Sequence, residues 1–167
     1  MSESPTEAEP MTEPLQPLDP AQKSVLRVRA LILVLALLAM SIVVDVGPLR
    51  ELETPLGLAP GIVGVLGLAA LLILPGRRYR AWGYREDEDE LHVRSGMLFR
   101  LHTVVPFGRV QHIDIAQGPI ERPFGVATLI LHTAGTRGSS VPLPGLARRQ
   151  AEAMRDRIRG KIRQELA

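Results

Sequence analysis

Four histidines, a run of five acids and two clusters of arginine are the side chains whose type and spacing first invite chemistry. His92, His102, His112 and His132 could ligate a metal, but no two stand at the His-x-x-x-His or other compact spacing that puts two ring nitrogens on one ion. They alternate with apolar residues and read as solvated strand positions. Glu86-Asp87-Glu88-Asp89-Glu90 could hold a divalent cation weakly, yet its place directly before a strand pattern suits an exposed hairpin tip. General acid–base work needs a carboxylate in a perturbing pocket, and five adjacent acids on a tip are the opposite. Ser139-Ser140 lack a nucleophile elbow. No glycine-rich phosphate loop occurs, because Gly57–Gly67 falls inside an apolar run. The expectation is therefore no catalytic residue, no metal ligand and no cofactor, with a membrane-bound hydrolase as the remote alternative.

The bases offer a better physical hypothesis. Arg77, Arg78 and Arg80 follow an apolar run, where anionic headgroups attract each base by roughly 1 kcal/mol. Arg148, Arg149 and Arg155 open a C-terminal stretch that continues with Arg157, Arg159, Lys161 and Arg163 and holds only Glu152, Asp156 and Glu165 as acids. That face could meet anionic lipid, an acidic protein partner or nucleic acid. Nucleic acid is not expected, since no stacking aromatics accompany the bases. The plain alternative is a solvated helix face.

These residues must be positioned by the elements of a 167-residue chain with no cysteine, 46% hydrophobic residues and a net charge of +2. Absent cysteine excludes disulfide scaffolds, thiolate zinc sites and iron–sulfur clusters. The charge conceals an asymmetry. Residues 1–22 hold Glu3, Glu7, Glu9, Glu13 and Asp19 with no base, and five prolines, so they read as a disordered acidic tail. Ala30–Val44 then runs without a charge, and Thr54–Gly76 is uncharged throughout. Neither run shows a polar stripe, which disfavours a soluble hairpin or a surface helix. An acidic leader and a second apolar run disfavour a signal peptide.

Residues 25–76 are thus expected to form a transmembrane hairpin, with helices at about 28–48 and 56–75. Lys23, Arg27 and Arg29 precede the first helix and Arg77, Arg78 and Arg80 follow the second, while the connection holds Arg50 beside Glu51 and Glu53. The positive-inside rule places both termini in the cytoplasm. Gly57, Gly61, Gly64 and Gly67 lie at three- and four-residue spacing, and Gly57-x-x-x-Gly61 matches a small-residue packing motif, for the partner helix or for a second copy of the chain.

Residues 77–167 read as a cytoplasmic α+β domain. Leu91, Val93, Met97, Phe99, Leu101, Thr103 and Val105 alternate with polar residues, as half-buried strands do, around a turn at Ser95-Gly96. Further strands follow at Arg109–Gln117, Val126–Thr133 and Ser139–Leu143. A C-terminal helix over 145–166 carries Leu146, Met154, Ile158, Ile162 and Leu166 on one stripe.

Two apolar helices, then Val104-Val105-Pro106-Phe107-Gly108-Arg109-Val110-Gln111-His112-Ile113, Arg122-Pro123-Phe124-Gly125-Val126-Ala127 and Leu131-His132-Thr133-Ala134-Gly135, resemble the bacterial pleckstrin-homology-like membrane proteins of the YdbS-like family. The resemblance covers about residues 25–150. It implies a PH-like fold, a curved seven-stranded antiparallel sheet or partly open barrel capped by a C-terminal helix, in a bacterial plasma-membrane protein. Within the motifs, Pro106, Arg109, Gln111, Arg122, Phe124, Gly125, Thr133 and Gly135 have structural readings. Phe124 is expected to plug the core, Gly125 to take a conformation a Cβ would strain, and Arg109 and Gln111 to tie their strand to the 122–125 turn. The functional expectation is a non-enzymatic binding module for a protein partner or anionic lipid. An accessory or assembly subunit acting through its helices is the alternative.

Overall fold

The computed structural model describes residues 15–47, 55, 57–134 and 140–165. Helices α1 (Ala21–Val46) and α2 (Leu58–Arg80) form an antiparallel pair. Their apolar windows have mean hydropathies of 2.4 and 2.3, and only 11% and 6% of those residues are buried. A soluble core helix would be covered by its own protein; these are not, as suits membrane-spanning segments. At ~1.5 Å per residue both exceed a hydrocarbon core of ~30 Å.

Asp45, near the end of α1, is buried, and its Oδ2 accepts a hydrogen bond from the Gly57 amide at 2.7 Å. This satisfies one orphan donor at the start of α2. Gly57 has φ +90° at that cap, which explains a glycine there by backbone conformation. Helix α1 approaches the glycine stripe at one position: a Cβ at Gly67 would lie 2.6 Å from Val34 Cγ1, whereas one at Gly61 or Gly64 would meet open space. The close approach of α1 thus falls at the last glycine of the stripe and not at the Gly57-x-x-x-Gly61 pair.

Helix α1 begins seven residues earlier than 28, and α2 continues five residues past 75. Both extensions serve the domain interface. Leu18 is 2% exposed, the Tyr79 hydroxyl donates to the Leu18 carbonyl at 2.6 Å, and the Asp19 amide donates to the Gly145 carbonyl at 2.7 Å. Asp19 Oδ1 accepts from the Ala21 amide at 2.8 Å and starts α1. Residues 15–22 are therefore ordered and packed, which corrects the reading of a disordered tail for that stretch; residues 1–14 lie outside the described residues. Gly145 makes the contact possible: its φ is +76°, and a Cβ there would come within 2.8 Å of Gln22 Cγ and 3.0 Å of Leu18 Cδ1.

The domain is two three-stranded antiparallel sheets and a helix. β1 (Gly83–Glu86), β2 (Glu90–Ser95) and β3 (Leu101–Pro106) form one; β4 (Val110–Ala116), β5 (Val126–Thr133) and β6 (Ser140–Ala147) the other. Six strands are described, not seven, and Gln16 makes a single antiparallel bridge to Tyr84 on the free edge of β1. α3 (Arg148–Glu165) closes the core through buried Ala151, Met154 and Ile158, against Leu91, Phe107, Leu129 and Leu131. Leu146 is buried too, but from β6, which runs through Pro144-Gly145 and delays the helix from 145 to 148. Leu166 lies outside the described residues.

Three side chains depart from the alternation. Met97 and Phe99 belong to no strand and Leu101 only opens β3; all three are exposed, because Gly96 (φ +105°) turns the chain into a loop over 97–100. Phe124 is also exposed, on a 3-10 turn over Arg122–Phe124, so it plugs nothing. His92, expected in solvent, is 4% exposed and stacks on His102 with ring centroids 5.3 Å apart.

Candidate functional site

The expected contact arginines fall on two separate surfaces. Arg77, Arg78 and Arg80 are exposed in the last turn of α2, where positive charge also suits the helix dipole. Arg77 and Arg80 join Arg94 of β2 and Arg100 of the following loop around a cavity of about 320 Å³, with Gly96 and Met97 completing its wall. None of these four guanidinium groups has an ion-pair partner among the described residues, and residues 77–84 and 94–104 contain no acid at all. A second cavity, about 470 Å³, joins Gly96 and Met97 to Arg29 of α1 and Arg78 of α2. The β2–β3 turn therefore adjoins the ends of both apolar helices. Sequence reasoning missed Arg94, Arg100 and the role of this loop. The signal was three successive apolar residues, Met97-Leu98-Phe99, bracketed by Ser95-Gly96 and Arg100.

Arg148 and Arg155 lie elsewhere, in a groove of about 930 Å³ between β4 and α3 that Arg122 and Arg159 also line. This surface is partly neutralised. Arg148 Nε donates to Glu152 at 3.0 Å and its Nη1 to Gln117 Oε1 at 3.2 Å, while Arg155 pairs with Asp156 at 2.9 Å. Arg149 is exposed and lies outside that groove. Arg122 joins the groove from the family motif, a link between motif and basic face that spacing alone did not show.

The other motif residues act on the backbone. Pro106 ends β3 and leads into a 3-10 turn over Phe107–Arg109, and the Arg109 carbonyl accepts from the Ala134 amide at 3.2 Å. Thr133 opposes Val110, and the register shifts beside Gln111. Arg109 and Gln111 are exposed, and neither side chain bonds to the 122–125 turn among the described residues. Other residues fix that turn: Gln117 Nε2 donates to the Val126 carbonyl at 2.8 Å, and Glu121 Oε2 accepts from the Gly118 amide at 2.6 Å. Gly125 has φ +66° as expected, and its carbonyl accepts from the Arg148 amide at 2.9 Å. Gly135 lies outside the described residues. Glu121 is buried and pairs with Arg29 of α1 at 2.9 Å, so the turn also fastens the domain to the first helix.

The acidic run occupies the β1–β2 tip, where internal partners meet the Glu86, Asp87 and Glu90 carboxylates and leave the Glu88 and Asp89 side chains exposed. Glu86 takes both a 3.0 Å and a 2.7 Å bond from Arg157, Arg85 donates twice to Asp87 at 2.8 Å, and Lys161 donates to the carbonyls of Asp87 and Glu88. The Arg85 hydrogen bonds hold the Asp87 carboxyl below its ordinary range. His92 Nε2 lies 2.7 Å from Glu90 Oε1 and 3.0 Å from Asp87 Oδ2. These three donors are close enough to converge on one cation, although Asp87 and Glu90 already serve Arg85 and His92. Nearby, burial pushes the Tyr84 phenol up, while its oxygen accepts from Gln150 Nε2 at 2.6 Å.

Two membrane-length helices fastened to a small antiparallel domain, with a C-terminal helix closing its core, define a membrane-associated PH-like module. The chain belongs to the family described as Bacterial PH domain, whose profile matches residues 26–162. It is 35% identical over 99 residues to the UPF0699 transmembrane protein YdbS of Bacillus subtilis (strain 168), an alignment covering 59% of this chain and 60% of that protein. The chain thus matches about three-fifths of the length of this curated relative. No solved structure matches it significantly.

Proposed function

We propose that the protein is a non-enzymatic, two-pass binding module of the bacterial plasma membrane, with both termini and the PH-like domain in the cytoplasm. It contacts anionic headgroups or an acidic protein partner through its unneutralised arginines. One observation carries the reading: the domain is fastened to the Arg-flanked ends of the helices, by Leu18 under Tyr79 and by the Arg29–Glu121 pair. A domain so held presents Arg77 and Arg80 at headgroup depth, where positive charge is favoured. Weak, screened attraction to single charges becomes useful when anchoring keeps the local concentration high.

A photocrosslinking side chain at Arg149, used in cells, tests the reading. Discrete protein or lipid adducts support it; a reactive label that yields neither contradicts it. A second reading, an assembly subunit acting through its helices, is favoured by the open space beside Gly61 and Gly64. Gly61→Leu with Gly64→Leu separates the two. Loss of a larger membrane complex with the Arg149 adducts intact would favour assembly.

A further inference from the structure

We infer that the β2–β3 tip is a membrane-inserting element, with Leu98 and Phe99 in the bilayer interface and an anionic phospholipid phosphate held by Arg77, Arg80, Arg94 and Arg100. The inference rests on the membrane-anchored reading above and names the element and the ligand chemistry. Leu98 is 85% exposed and Phe99 88% exposed, at the end of a hairpin whose turn adjoins the ends of α1 and α2. Projecting apolar side chains of this size are a liability in water but at home at the headgroup boundary, where aromatic rings concentrate. The projection is built, since a Cβ at Gly96 would fall 1.8 Å from the Phe99 carbonyl oxygen, so the turn admits only glycine.

Charge selects lipid as the occupant. The tip's surroundings carry four guanidinium groups with no acid in residues 77–84 or 94–104. Guanidinium forks match phosphate oxygens bidentately, and the cavity they line opens beside the same helix ends that mark the membrane boundary. A protein partner would have to reach this surface through the headgroups.

The chain has no cysteine, so Leu98→Cys and Glu88→Cys each give one site for an environment-sensitive fluorophore. The full chain is placed in lipid nanodiscs of phosphatidylcholine, with or without phosphatidylglycerol. Both labels meet aqueous iodide and a lipid-borne nitroxide quencher. In anionic discs the label at 98 is expected to shift to the blue, lose iodide quenching and gain nitroxide quenching, while the label at 88 stays open to iodide. Arg94→Glu with Arg100→Glu, both exposed positions, should restore iodide quenching at 98. The proposal is overturned by iodide access at 98 equal to that at 88. It is equally overturned by a blue shift without nitroxide quenching, which would mean a protein cover. Protection that ignores both phosphatidylglycerol and the charge reversal removes phosphate recognition. Discs expose both membrane faces, so this result is independent of orientation in the cell.

Discussion

Strand β2 ends in two tips of opposite character. At one end, residues 86–90 are all acidic; Arg157, Arg85 and His92 meet the carboxylates of Glu86, Asp87 and Glu90, and Lys161 meets the Asp87 and Glu88 carbonyls. At the other, Met97–Phe99 are apolar and exposed, and the neighbouring Arg77, Arg80, Arg94 and Arg100 have no acidic partner among the described residues. Charge density alone would single out the acidic tip as functional. The partners reverse that ranking: ion pairs within the domain engage three of the five carboxylates and leave less charge to attract a ligand, whereas the unpaired guanidinium groups beside the end of α2 retain theirs. The same strand thus carries a structural clasp to α3 at one end and an open surface at the other.

The strongest way to break the contrast is to remove what both tips share. Leu91 in β2 is fully buried, and Leu91→Ala should cost about 2–5 kcal/mol. Denaturant unfolding of the domain in micelles should shift accordingly, with both tips gaining hydrogen exchange together. A selective break comes from Gly96→Ala, which combines φ +105° with the Phe99 carbonyl clash and should cost about 1–3 kcal/mol. Exchange should rise over 96–101 and stay unchanged over 86–92. Acid sharpens the contrast with the smallest effect. Asp87 has its folded-state carboxyl held low by Arg85, so its contribution is complete above the unfolded value of about 3.9 and fades as pH falls through the lower folded value. Asp87 is one-third exposed, so solvent screening keeps the contribution small. After correction for intrinsic rates, the acidic tip should loosen below about pH 4, and the apolar tip, which has no carboxylate, should not respond.

Much of this architecture was legible because long-range packing was not needed to read it. Uncharged runs of membrane length mark α1 and α2, a mostly apolar run marks β5, and alternation marks much of β2. The segment around Leu18 was not legible: an acidic, proline-rich stretch has no pattern of its own, and its order comes from a slot beside β1 and beneath Gly145. Met97 and Phe99 fit a strand template, but the left-handed Gly96 ends the ladder at Ser95, and alternation is blind to that. His92 looked solvated because its alternation was polar; its burial comes from the stacked His102 ring and the Asp87 and Glu90 carboxylates. For the candidate surface, Arg77 and Arg80 were visible as membrane-flanking bases. Arg94 and Arg100 were not, since only the hairpin brings them to the helix end.

The orientation of the domain is tested most directly by labelling single cysteines in intact cells with a membrane-impermeant thiol reagent. Glu88→Cys marks the acidic tip, and Leu52→Cys marks the short connection between the helices. A cytoplasmic domain requires labelling of position 52 from outside, and labelling of position 88 only after the membrane is permeabilised. Labelling of position 88 in intact cells, with 52 protected, would contradict a cytoplasmic domain.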